Sequence, residues 1–152
     1  MRHVCKHIAL LAVSCLAVAC SSINCQLNNT VYTTYGFYYR NSPITVTDTL
    51  TVTTLGSDSV LLNKQTGMSS IELPMSYTGE TDVFVLSFMN LSNDTIWVSH
   101  TNYPYYETPE CGTAIFHEIT RIDHTRNLID SIEVVKRTVN YDGKENVRIH
   151  FK

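Results

Sequence analysis

The sequence predicts an all-β fold: an antiparallel β-sandwich, immunoglobulin-like or related, of about seven to nine strands after an N-terminal signal. Three observations carry that prediction. Short runs rich in Tyr, Thr, Val and Ile recur along the chain, and several alternate apolar with polar residues. Clusters of Gly, Asn and Asp (LGSD, YTGE, NLSND, YDGKEN) separate them. β-branched and aromatic side chains suit a pleated, half-buried surface, alternation puts every second residue on one face, and the clusters supply turns.

The first element is not a strand. MRHVCKH carries Arg2 and Lys6 with no acid, and IALLAVSCLAVA follows as an apolar run of twelve residues. This is the charged and apolar pattern of an exported precursor. A membrane-spanning helix needs roughly 20 apolar residues, so the run is too short for a permanent span. LAVAC resembles a bacterial lipobox, in which a small residue precedes the cysteine that is lipidated and becomes N-terminal. Ala19 fits that position, while Ala17 stands where a larger aliphatic residue is more usual. An ordinary secretory cut nearby is the alternative. Cleavage before Cys15 would leave the apolar LAVA on the mature chain, so Cys20 is the expected lipidation site. The chain then divides into a signal peptide (1–19), a lipidated tether (20–26) and a β-sandwich domain (27–152).

Cys15, Cys20 and Cys25 form C-x4-C-x4-C with no second cluster, unlike the short repeated spacings of metal sites. Of five cysteines, Cys5 and Cys15 leave with the signal and Cys20 takes the lipid. Cys25 and Cys111 remain, and disulfides persist in exported proteins, so they are expected to pair. Closing that loop removes on the order of 4–5 kcal/mol of unfolded-chain entropy in the loop-closure picture.

Strands are expected at TVYTTYGFYYR (30–40) and ITVTDTLTV (44–52), where Asp48 is the one lapse on the apolar face and so a bulge, edge or rim position. Further strands are expected at SVLL (59–62), SIEL (70–73), DVFVLSFM (82–89), TIWVSH (95–100), TAIFHEITRI (113–122), LIDSIEVV (128–135) and VRIHF (147–151). Residues 119–136 carry isoleucines near helical spacing, but their β-branched content and the HTRN break at 124–127 favour a hairpin. A tight hairpin turn is expected at Asp142-Gly143.

Loss of Arg2 and Lys6 leaves nine basic against fourteen acidic residues, a net charge of −5. Without a basic stripe interleaved with aromatics, nucleic acid is not an expected partner. A mildly acidic body does not favour anionic lipid either, so the lipid itself must hold the membrane.

Catalytic chemistry finds little support. His-Glu occurs in FHEITRIDH, but Arg121 stands where H-E-x-x-H needs its second histidine. On a strand His117 and Ile119 share one face and Glu118 the other. His100, Glu107, His117 and His124 could meet only through the fold, so a metal-dependent enzyme is the weakest reading. There is no G-x-S-x-G and no S-x-x-K, and no cysteine is spare. The expectation is a non-enzyme with no cofactor and no metal. TNYPYYETPE (101–110) is more informative: Tyr103 directly precedes Pro104, and Tyr105 and Tyr106 lie between Pro104 and Pro109, prolines that lower the ordering cost of a loop. Rigid tyrosines on a loop are good contact residues for proteins and sugars, and Tyr32, Tyr38 and Tyr39 are expected to extend the surface. The alternative is that these rings cover one end of the sandwich, with their hydroxyls in water.

CQLNNTVYTTYGFYYR, SHTNYPYYETPECGT and VNYDGKENVRIHF together resemble an uncharacterised family of small Bacteroidetes envelope lipoproteins, a domain of unknown function. The resemblance spans essentially the mature chain and brings no catalytic residues. It implies a β-rich envelope lipoprotein whose partner is an outer-membrane β-barrel protein. Surface-exposed lipoproteins of that group carry acids after the lipidated cysteine, whereas Ser21, Ser22, Ile23 and Asn24 follow here. The resemblance therefore implies an anchor in the inner leaflet of the outer membrane, facing the periplasm. It also implies O-glycosylation, at an Asp-Ser/Thr-aliphatic motif that occurs at Thr49, Ser59, Thr95 and Ser131. The N-x-S/T sequons at Asn28, Asn90 and Asn93 matter only in a eukaryotic host.

The expected function is that of a periplasm-facing, non-enzymatic accessory or interaction module of the cell envelope. A glycan- or small-ligand-binding β-sandwich is the alternative.

Overall fold

The computed structural model describes residues 30–56, 59–108 and 111–152. The expected signal peptide, Cys20 and Cys25 lie outside the described residues. The chain forms β1 (Tyr32–Tyr39), β2 (Ser42–Pro43), β3 (Leu50–Thr54), β4 (Val60–Gln65), β5 (Ser70–Pro74) and β6 (Thr81–Phe88). It continues through β7 (Asp94–Tyr105), β8 (Ala114–His124), β9 (Ile129–Val134), β10 (Thr138–Val139) and β11 (Glu145–Phe151). One sheet has the order β2-β1-β11-β9, with β5 also paired to β1; the other has the order β10-β8-β7-β6-β3-β4.

Alternation explains how the sheets pack. Val31, Thr33, Tyr35 and Phe37 on β1 and its approach, Val147 and Ile149 on β11, Phe84, Leu86 and Phe88 on β6, and Ile96 and Val98 on β7 are all buried. Rings meet between the sheets, with Tyr35 edge-on to Phe84 (6.3 Å) and Phe88 edge-on to Phe151 (6.0 Å). Burying each large apolar side chain contributes roughly 1.5–3 kcal/mol. The β-sandwich expected from the sequence is the fold observed.

Several local expectations need correction. The run at 44–52 is not one strand: Val46 makes a single bridge to Met68, the chain bends at Asp48, and β3 begins at Leu50. The Asp48 carboxylate explains the break, because it accepts hydrogen bonds from the backbone of Thr49 (2.8 Å) and Asn90 (3.0 Å) and from Asn90 Nδ2 (2.9 Å). Strand β1 pairs with β11 in parallel, an exception to an otherwise antiparallel arrangement. The two-residue strands β2 and β10 were too short to read from alternation.

Nor do β8 and β9 form a hairpin. Strand β8 pairs with β7 and β10, while β9 pairs with β11 in the opposite sheet. The buried Asp94 carboxylate holds this crossing. It accepts hydrogen bonds from Thr125 Oγ1 (2.5 Å) and from the backbone N–H groups of Asn127 (2.9 Å), Leu128 (2.7 Å) and Ile129 (3.0 Å). Burial pushes its pKa up, but these donors outweigh burial and hold it below the usual carboxylate value. Asp142-Gly143 is a turn as expected, with Gly143 at φ 62° and Asp142 Oδ1 accepting from Lys144 N. It too links the sheets, joining β10 to β11, rather than closing a hairpin.

Candidate functional site

TNYPYY is strand rather than loop: β7 runs on to Tyr105, paired with β8 through Asn102–His117, Tyr103–Phe116 and Tyr105–Ala114. The period of two then sorts the side chains. Tyr103 and Tyr105 fall on one face with Phe116, and Asn102 falls on the other with His100 and His117. The outward set forms an aromatic patch. The Tyr105 ring lies on Phe116 at 4.2 Å between centroids and 11° between planes, and Tyr103 meets Phe116 edge-on at 6.1 Å. Tyr141 stands edge-on to Phe116 (5.2 Å) and Tyr105 (6.4 Å). Tyr103 and Tyr105 each remain 38 % exposed. Burial and nearby Glu118 push the Tyr103 hydroxyl pKa up, and burial with Glu107 and Tyr105 does the same for Tyr141, so both stay neutral donors.

Tyr106 is 68 % exposed and follows the end of β7. Of the three tyrosines expected to extend the surface, Tyr32 shares a shallow groove with Tyr141. Tyr38 does not join the patch. It belongs to the other sheet, where its hydroxyl donates to Glu145 (3.1 Å) and the Arg148 guanidinium lies over its ring at 5.0 Å. Tyr39 lines a separate groove with Arg40 and Lys152. Among the modification motifs, Ser59 and Ser131 are exposed, whereas Thr49 and Thr95 are half-buried.

Sequence reasoning missed a polar network on the inward face. His100 and His117 are both 2 % exposed, with ring centroids 5.1 Å apart. Asn102 sits between them. Its Nδ2 donates to the carbonyls of Ser76 (3.1 Å) and Gly79 (2.7 Å), which fixes the amide so that Oδ1 faces His100 Nδ1 (2.8 Å) and His117 Nδ1 (2.7 Å). An amide oxygen only accepts, so both Nδ1 atoms carry protons. His100 Nε2 lies 3.0 Å from Asp82 Oδ2, which also accepts from Ser76 N. A proton is therefore shared across the His100–Asp82 contact.

His117 ends the relay. With Nδ1 protonated toward Asn102, its Nε2 keeps a bare lone pair. Burial, then the neighbouring His100, pull its pKa down to about 4, against a smaller opposing effect of Asp82. So weak a base abstracts protons poorly near neutrality, and hydrogen-bond acceptance is the chemistry this nitrogen offers. The signal in the sequence was the i, i+2 pair His100 and Asn102, on the same face as Val98, with His117 two residues before Ile119.

The metal set considered above does not assemble. His100 and His117 meet through Asn102, while His124 bonds the Thr125 carbonyl at the far end of β8. Among the described residues, no three His, Cys, Asp or Glu side chains converge as metal ligands, and no helix is long and apolar enough to cross a membrane.

Residues 49–151 match a family of unknown function (DUF6452). The chain belongs to that family. The DUF6452 match contains Asp82, His100, Asn102, His117 and every ring of the aromatic patch, and starts after β1 and β2. No curated protein and no solved structure matches the chain.

Proposed function

We propose that this protein is a lipid-anchored, non-enzymatic interaction module of the cell envelope, docking a partner protein through the outward aromatic face of β7 and β8. One observation carries the reading: Tyr105 stacks on Phe116 at 4.2 Å and 11° while Tyr103 and Tyr105 stay exposed. Side chains already ordered by one another lose little entropy on binding, and Tyr is enriched where interfaces concentrate their energy. The partner class is an integral envelope protein, with an outer-membrane β-barrel as the first candidate.

LAVAC supports the anchor, with Cys20 acylated and the domain facing the periplasm from the inner leaflet of the outer membrane. One acyl chain binds membranes only marginally, and stable attachment takes a second signal. A multiply acylated N-terminus supplies it. That Cys111 is a disulfide cysteine supports its pairing with Cys25, a link that would tie the tether to the segment between β7 and β8. Ser59 and Ser131 are the O-glycosylation sites this reading keeps, because both are exposed.

The test is chemical cross-linking in cells followed by mass spectrometry of the membrane fraction, comparing the native chain with Tyr105→Ala and Cys20→Ala. Capture of one envelope protein, lost in both variants, is the expected result. Capture unchanged in Tyr105→Ala overturns the docking face.

A second reading is favoured by the outer ring face of Tyr105. Stacked on Phe116 on one side, it presents a platform on which the apolar face of a sugar can lie. Saturable glycan binding that Tyr105→Ala abolishes would place the function there.

A further inference from the structure

A cavity of about 250 Å³ opens at the end of the sandwich where β1 begins, β5 ends and β8 begins. Its described lining is Thr30, Val31, Met75, Tyr77, Thr113, Ile115 and His117, and none of these is a charged acid or base at neutral pH. Three of the seven are aliphatic or thioether side chains, so the walls favour an apolar body. His117 is 2 % exposed, and its Nδ1–H is committed to Asn102 Oδ1 at 2.7 Å. Among the described residues no group hydrogen-bonds its Nε2. Nε2 is not among the buried side-chain atoms without a partner, so it opens onto the cavity, where a ligand hydroxyl can take the place of water as its hydrogen-bond donor.

We propose that this cavity is a binding site for a small neutral ligand, an apolar body bearing one hydroxyl group, which donates its hydrogen bond to His117 Nε2. The chemistry follows from the atoms present. The Asn102 amide cannot turn round without losing its bonds to the Ser76 and Gly79 carbonyls (3.1 and 2.7 Å). The imidazole is therefore locked with its lone pair free, and it selects for a donor. A carboxylate or phosphate brings only acceptors and is rejected. An ammonium group finds no acid in the described lining to balance its charge. The volume lies just below the roughly 300–1,000 Å³ range of drug-sized pockets, which limits the ligand to about one ring. The site is independent of the aromatic patch, because His117 and Phe116 are successive residues of β8 facing opposite sides of the sheet.

The test compares phenol with anisole, the same ring without the donor, on the full-length chain labelled with ¹⁵N. The histidine ring nitrogens are followed by long-range proton–nitrogen correlation. Before addition, His117 should show a protonated Nδ1 and an unprotonated Nε2. Phenol should shift the His117 Nε2 resonance saturably, and anisole should bind more weakly by roughly threefold to tenfold, the range of one net hydrogen bond. His117→Phe should remove that preference. Ile115→Phe, which fills the cavity while leaving the Asn102 network untouched, should abolish binding of both and serves if His117→Phe does not fold. Equal binding of phenol and anisole, no saturable shift, or undiminished phenol binding by Ile115→Phe would each overturn the proposal.

Discussion

His100 and His117 share one acceptor: both Nδ1 atoms point at Asn102 Oδ1, at 2.8 and 2.7 Å, and their rings stand at 89° to each other. A single amide, itself held by two backbone carbonyls, thereby fixes Nδ1 as a proton-bearing nitrogen in both buried imidazoles. Opposite this network, Tyr35 and Thr33 place on the facing sheet buried hydroxyls that find no hydrogen-bond partner among the described residues. Burial and the proximity of Asp82 push the Tyr35 pKa far up, so its hydroxyl stays protonated.

The network makes stability fall on acidification. His117 has a pKa of about 4 when folded against an ordinary 6.5. Between those values the unfolded chain binds a proton that the folded chain refuses. Its contribution is complete above pH 6.5 and is lost as pH falls toward 4, on the order of 2–3 kcal/mol in all. Urea unfolding between pH 7.5 and 4.5 should show that slope, and His117→Phe should reduce it even if it lowers stability throughout. The groups facing His117 are His100, Asn102 and Asp82, so Asp82→Asn is the control for the partner carboxylate. A native profile flat from pH 7 to 5 would contradict the burial argument.

Asp94 should be among the costliest single positions. Asp94→Ala strands the Thr125 hydroxyl and three backbone N–H groups at the β8–β9 crossing, which predicts a loss of about 2–4 kcal/mol. Hydrogen exchange should localise it, with protection lost first at Asn127, Leu128 and Ile129. An unfolding midpoint within a degree of the native one would contradict this role.

Gly36 is required by the side chains stacked above it. A Cβ there would lie 2.1 Å from Glu145 Oε2 and 2.8 Å from Tyr38 Cε2. Gly36→Ala must expel the Glu145 carboxylate and with it the bonds to Tyr38 (3.1 Å) and Arg148 Nε (2.7 Å). The expected loss is about 1–2 kcal/mol. Because the clash is with Glu145, Gly36→Ala in a Glu145→Ala background should cost less than in the native chain. Equal costs in both backgrounds would place the conflict elsewhere.

Alternation made most strands legible, because runs such as DVFVLSFM and TIWVSH alternate cleanly between core and surface. What it could not show was pairing. HTRN looks like a hairpin turn, and only the Asp94 clasp, more than thirty residues away in sequence, reveals that the chain changes sheets there. ITVTDTLTV alternates apart from its lapse at Asp48, and it is there that the side-chain bonds to Asn90 bend the chain. The tyrosines were found from their prolines but assigned to a loop. Strand pairing with β8 gives them a face, and Phe116, unremarkable in the sequence, completes the patch. The histidine network stayed hidden because its members come from three strands, and its logic resides in an asparagine.

Anchoring and docking should separate cleanly. Cys20→Ala should release an otherwise folded domain from the membrane pellet to the soluble periplasm, read by fractionation. Tyr105→Ala should stay in the pellet, lose partner capture and cost only about 1 kcal/mol of stability, because the ring is already 38 % exposed. A Cys20→Ala chain that remains in the pellet would contradict the lipid anchor.

The central claim is that the aromatic face of β7 and β8 is where a partner sits, and site-specific photo-cross-linking tests it most directly. A photoreactive phenylalanine analogue placed in turn at Tyr103, Tyr106 and Tyr39 in living cells compares the patch and its neighbour with an exposed tyrosine of the other sheet. The account predicts one discrete adduct with a membrane protein from positions 103 and 106, and none from 39. An adduct from position 39 with none from 103 and 106, or no adduct from any of the three, would contradict it.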